Sequence, residues 1–146
     1  MEHQLNNAEA CVFCEIVRRS KPASIVVEDE RTIAAVDLRQ FHPGHILVIP
    51  RQHINDVRDL DPETGAAVMA TVTRVARAVA HAFPNQGLSL WHSIGEAADQ
   101  EVPHMHIHIH PRLLGDGLLR IYPSLAPEPE RATLEQYAAL VKVHLD

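Results

Sequence analysis

The run Pro103-His104-Met105-His106-Ile107-His108-Ile109-His110-Pro111 alternates imidazole and apolar side chains between two prolines. Alternation at a period of two is the pattern of an extended strand, because successive side chains there point to opposite faces. On a helix the same residues would scatter around the circumference. As a strand, the run sends Met105, Ile107 and Ile109 into a core and lines four imidazoles along the other face. Same-face neighbours then sit about 6.6 Å apart along the strand, close enough for successive rings to serve one ligand. A solvent-facing polar edge is the plainer alternative. Histidine is scarce enough that four in register argue against it.

The remaining chain must cover that strand. Ile25–Val27 and Ile33–Val36 flank a Glu28-Asp29-Glu30-Arg31 turn and read as a hairpin. His45–Pro50 is a strongly apolar, central strand stopped by its proline. Asp61 is an N-cap with Pro62 at the first helical position. The helix it opens carries the stripe Val68, Val72, Val75, Val79, Phe83, and Pro84-Asn85 closes it. Gly87–His92 and Val102–His110 are two further strands. Cys11 to Arg19 and Leu134 to Leu145 show helical spacing, and 113–129 is irregular. The succession predicts an α+β domain with a mainly antiparallel, five-stranded sheet, one long helix and flanking short ones. A single domain is expected over 11–146, behind a loose tail at 1–10.

At 146 residues, 46% of them apolar, the chain can bury a sizeable core. Its net charge of −6 argues against nucleic acid or an anionic membrane surface as partner. No stretch approaches the roughly 20 apolar residues of a membrane span. The polar N-terminus lacks a signal-peptide pattern, so a cytoplasmic location is expected.

Two chemistries are possible at the histidines. Cys11 and Cys14, spaced C-x-x-C, are a metal half-site, since no strand precedes them to make a thioredoxin-like motif. Two histidines would complete a Cys2His2 zinc site. One could come from the histidine strand; for the other, His53, His42, His45 and His92 compete. The row of imidazoles could itself hold a catalytic metal. Alternatively, one ring is a nucleophile while others bind an anionic substrate and shuttle protons.

Residues 11–112 resemble the histidine triad family, on four motifs in order. His104-Met105-His106-Ile107-His108-Ile109-His110 is similar to its His-φ-His-φ-His-φ-φ signature, and Cys11-Val12-Phe13-Cys14-Glu15-Ile16-Val17 to the opening helix of its zinc-carrying members. Asp37 with Pro43-Gly44-His45-Ile46-Leu47-Val48-Ile49-Pro50-Arg51-Gln52-His53 is similar to its central segment. Gln100 falls at its glutamine before the triad.

The resemblance implies a nucleotide hydrolase or transferase acting at the α-phosphate of adenosine (purine) conjugates. His106 would be the nucleophile, forming a nucleotidyl-histidine. His108 would bind the phosphate oxygens, and His45 would orient the other two. Asp37 would accept the ribose hydroxyls, Phe13, Ile16 and Leu38 would sandwich the base, and Ser93 and Gln100 would lie at the nucleotide. A structural Zn2+ would be held by Cys11, Cys14, His53 and His104. A homodimer with a continuous ten-stranded sheet is implied as well. A nucleotide-binding sensor with vestigial catalysis is the alternative. It is favoured by Asp99 and Glu101 beside Gln100; Ser93, where Asn is usual, is a further departure from the pattern. His110 stands where an aliphatic residue is usual and is expected outside the catalytic set.

Overall fold

The computed structural model describes residues 10–119 and 121–145; most of the expected tail, 1–9, lies outside them. Chain contacts divide into two compact units, one running to Asp116 and one from Gly117 onward. Every candidate site residue named above belongs to the first.

The first unit contains helix α1 (Val12–Val17), strands β1 (Ile25–Glu28), β2 (Thr32–Val36) and β3 (Ile46–Pro50), helix α2 (Pro62–Ala82), and strands β4 (Gly87–Trp91) and β5 (Ile107–Arg112). The sheet is five-stranded and antiparallel, in the order β1-β2-β3-β5-β4. The second unit holds α3 (Arg131–Lys142) after an irregular lead-in.

β3 is the central strand, and all five of its residues are buried. Its alternation feeds two cores, one on each face. Ile46 and Val48 pack with Val68, Val72, Val75 and Val79 of α2, together with Met105 and Ile109. Leu47 and Ile49 pack on the opposite face with Cys11, Phe13 and Cys14 around α1. The valine stripe of α2 is thus core, as its spacing predicts. Asp61 caps that helix by accepting the Thr64 N–H at 3.1 Å.

The histidine strand differs from expectation at both ends. Regular pairing begins at Ile107 rather than Val102, and runs on to Arg112. Continuing the β3–β5 register backward would bring Met105 opposite Pro50. Pro50 has no N–H to donate, and its carbonyl is taken by the His104 ring at 2.8 Å. The ladder stops there, but the chain stays extended enough that Met105 and Ile109 remain in the α2 core.

Candidate active site and metal centre

α1, the loop after β3 and the entry to β5 bring Cys11, Cys14, His53 and His104 together. Cys11 Sγ and Cys14 Sγ each lie 3.5 Å from His104 Nδ1, and Cys14 Sγ lies 3.2 Å from His53 Nδ1. The two imidazole Nδ1 atoms are 3.2 Å apart, and all four donor atoms fall within 4.8 Å of one another. A carbonyl can only accept, so the nitrogen of His104 facing Pro50 O is the protonated Nε2. Its Nδ1 therefore turns a lone pair on the thiols, as the backbone-bonded ligand of a metal does. Burial pushes the Cys14 thiol up to about 11 and the His104 imidazolium down to about 4. Both groups favour neutrality, and a cation held there would replace the thiol protons. Two sulfurs and two imidazoles fit a closed tetrahedral zinc site. The rival histidines lie elsewhere: His42 bonds Asp116, His45 bonds His108, and His92 accepts the Val57 N–H.

The next ring along the run faces different partners. His106 Nδ1 lies 2.7 Å from the His104 carbonyl, so Nδ1 carries the proton and Nε2 the free electron pair. Phe13 sets an edge against it, with ring centroids 5.0 Å apart. His108 Nδ1 and His45 Nε2 are 2.9 Å apart, and His45 Nδ1 lies 3.5 Å from the Asp37 carboxylate. With its Nδ1–H toward that carboxylate, His45 accepts at Nε2 from His108 Nδ1–H. The unprotonated nitrogen of His108 is then Nε2. Burial lowers all three imidazoles below the ordinary histidine range, and His108 is carried to about 3, first by burial and then by its histidine neighbours. The site therefore holds a row of neutral rings, each with a fixed tautomer. Asp37, His45 and His108 also bring donor atoms within 4.8 Å of one another. Their bonds run in a chain, carboxylate to ring to ring, which suits orientation of His108.

The remaining expected residues are distributed as follows. Phe13 is buried and Ile16 is half-buried beside it, whereas Leu38 is 94% exposed. Gln100 donates both amide protons to backbone, to Asn55 O at 3.1 Å and Val102 O at 3.2 Å, and accepts from Gly95 N–H. It braces the loop that opens at Ser93. His110 gives its Nδ1–H to the Pro111 carbonyl and packs on His45, with centroids 4.6 Å apart.

Two residues at this site escape sequence reasoning. Gln40 ties the Asp37–His45 loop: its amide donates to Asp37 O and His45 O, and its oxygen accepts from Gly44 and His45 N–H. Trp91 stacks flat on His108, with centroids 4.3 Å apart and planes within 7°. Only the register across β4 and β5 reveals that pairing.

The HIT domain model matches residues 18–113. The chain belongs to the HIT domain family. A crystal structure of a HIT family member from Bacillus subtilis superposes with a TM-score of 0.88 at 34% identity, covering 94% of this chain and 99% of that one. A zinc-bound histidine triad family protein from Mycobacterium smegmatis aligns at 37% identity over 94% of this chain and 98% of its own, with a TM-score of 0.69. That neighbour supports placing this HIT protein with the zinc-carrying type. Among curated relatives, the adenosine 5'-monophosphoramidase of Schizosaccharomyces pombe is 29% identical over 91% of this chain and 99% of its own. The adenylylsulfatase of Arabidopsis thaliana is 33% identical over 74% of this chain and 55% of its own. The family thus includes hydrolases.

Proposed function

We propose that this HIT protein cleaves conjugates at the α-phosphate of adenosine or related purine nucleotides through a nucleotidyl-histidine on His106. The observation that carries this reading is the His106 Nδ1–H bond to the His104 carbonyl, which leaves Nε2 as an unprotonated nucleophile in a buried row of neutral rings. In the first step Nε2 forms a bond to the α-phosphorus, and the bond from phosphorus to the leaving nitrogen or oxygen breaks. The leaving group departs with that electron pair and takes up a proton. In the second step water attacks the same phosphorus and the P–N bond to His106 breaks. Nucleoside monophosphate is released, and the ring recovers its lone pair.

His108, oriented by His45, binds the phosphate oxygens where charge develops. Asp37 takes the ribose hydroxyls, with Phe13, Ile16 and Leu38 about the base. Ser93 and the loop braced by Gln100 lie at the phosphates. Zinc on Cys11, Cys14, His53 and His104 is structural, joining α1 to the loop after β3 and to β5. The donor set and the zinc-bound relative support this. Both cysteines are free thiols, the state ligation needs and a reducing cytoplasm maintains. The two hydrolase relatives support the substrate class, and a homodimer belongs to the same reading.

The test is His106→Ala assayed on an adenosine phosphoramidate and a dinucleoside polyphosphate, beside AMP binding by calorimetry. Turnover should fall by about 10⁴-fold or more while AMP still binds. An unchanged rate in that variant would remove the mechanism. The sensing alternative, favoured by Asp99 and Glu101 beside Gln100, predicts tight AMP binding with negligible turnover of either substrate by the native protein.

A further inference from the structure

We propose that Trp91 is a positioning residue for His108: its indole fixes the plane of that imidazole and stabilises it when positive charge develops on the ring. The inference rests on the reading of His108 as the phosphate-binding ring, and it deepens that reading.

Trp91 ends β4 and is the cross-strand partner of His108 on β5, so both side chains project on one face of the sheet. The rings are 4.3 Å apart and within 7° of parallel, the closest and flattest of the ring pairs described among the histidines. The Nδ1 edge of His108 is held separately by His45 at 2.9 Å. A stacked face and a bonded edge leave an imidazole no free rotation, and the nitrogen that remains for a ligand is Nε2. The restraint matters because a phosphate site must present its donor at a set position.

The second part of the role is electrostatic. Burial opposes a positive charge on His108, and its neighbours His106, His45, His110 and His92 oppose it further. The Asp37 carboxylate lies against His45 and within 4.8 Å of a His108 nitrogen. The electron-rich indole face adds to that carboxylate in favouring a cation at His108, and it does so in direct contact with the ring. An aliphatic side chain would fill the same edge-strand position without supplying a face. This tryptophan is the chain's only one, and it is half-buried at its strand's end.

The test compares Trp91→Leu and Trp91→Phe with the native protein. Turnover of an adenosine phosphoramidate is followed, with kcat and KM separated, and the histidine ring resonances are followed by NMR. Trp91→Leu should lower kcat about tenfold and leave KM within about threefold, because the restraint acts on the ring as charge develops. Trp91→Phe, which retains a stacking face, should recover most of the loss. In the native protein the His108 ring protons should be shifted upfield by the indole ring current, and that shift should vanish in Trp91→Leu. A role limited to packing would lower the stability of Trp91→Leu while leaving its kcat and pH profile unchanged, which overturns the proposal. So does native NMR without the upfield shift, a measurement that needs no variant to fold. If the native protein neither turns over the substrate nor binds AMP, the reading of the function fails instead, and the resonance shift still decides whether the indole holds His108.

Discussion

Gly44 adopts φ +108°, and a β-carbon there would meet Phe83 Cδ2 at 2.6 Å. Alanine at this position combines left-handed strain with an overpacked contact against a ring that anchors the end of α2. Gly44→Ala should therefore cost about 2–4 kcal/mol in urea denaturation. A cost under about 0.5 kcal/mol would mean that Phe83 yields freely. The glycine was legible in the sequence, because Pro43-Gly44-His45 is part of a motif. Its neighbour Gln40 was not. An amide that bonds four backbone groups of its own loop looks in sequence like any surface glutamine. Trp91 was hidden for another reason: cross-strand register is set by tertiary pairing, and a lone tryptophan at a strand end carries no spacing signal. Conversely, the assignment of His53 over its rivals could not be made from residues alone. Only a folded loop puts its Nδ1 beside Cys14 while the others bond elsewhere.

Among the elements, α1 has six residues, too few to be stable on propensity. It is held by Phe13 and by whatever joins Cys11 and Cys14 to His53 and His104. Removing the metal with a strong chelator, or substituting Cys11→Ser, should lower Tm by several degrees while turnover persists below the new transition. Loss of turnover with Tm unchanged would point to a catalytic metal instead. α2 depends on a different device. Asp61→Ala removes the cap at Thr64 and should cost about 1 kcal/mol, measured by thermal or urea unfolding. The cap and the valine stripe were readable because both are local or strictly periodic. β5 starts later than the alternation predicts, because alternation reports which way side chains point, not whether the backbone finds a partner. Here the partner carbonyl, Pro50, bonds a ring instead.

For the molecule as a whole, the buried neutral imidazoles make stability depend on pH. In the unfolded chain a histidine titrates near 6.5, whereas His108 in the fold is held to about 3 and His45 and His110 are also lowered. Between those values the unfolded chain binds protons that the folded chain does not, so stability must fall as pH drops below about 6.5. Asp56, held to about 2 by Arg58, adds a second loss below the ordinary carboxylate range. Urea midpoints should therefore decline between pH 7 and 5, before carboxylates protonate, and His108→Asn should flatten that slope. A midpoint constant over this range would show that the rings are not held neutral. Among the described residues no helix is long and apolar enough to cross a membrane.

His104 and His106 each give a ring N–H to a main-chain carbonyl, one across to Pro50 and one back to His104 itself, while Met105 and Ile109 fill the core beneath. Adding or deleting a single residue between His104 and His110 would turn every later side chain over, placing imidazoles in oil and hydrocarbon at the ligand. The stretch can therefore change its letters but not its length. Evolution and engineering alike must edit it by substitution.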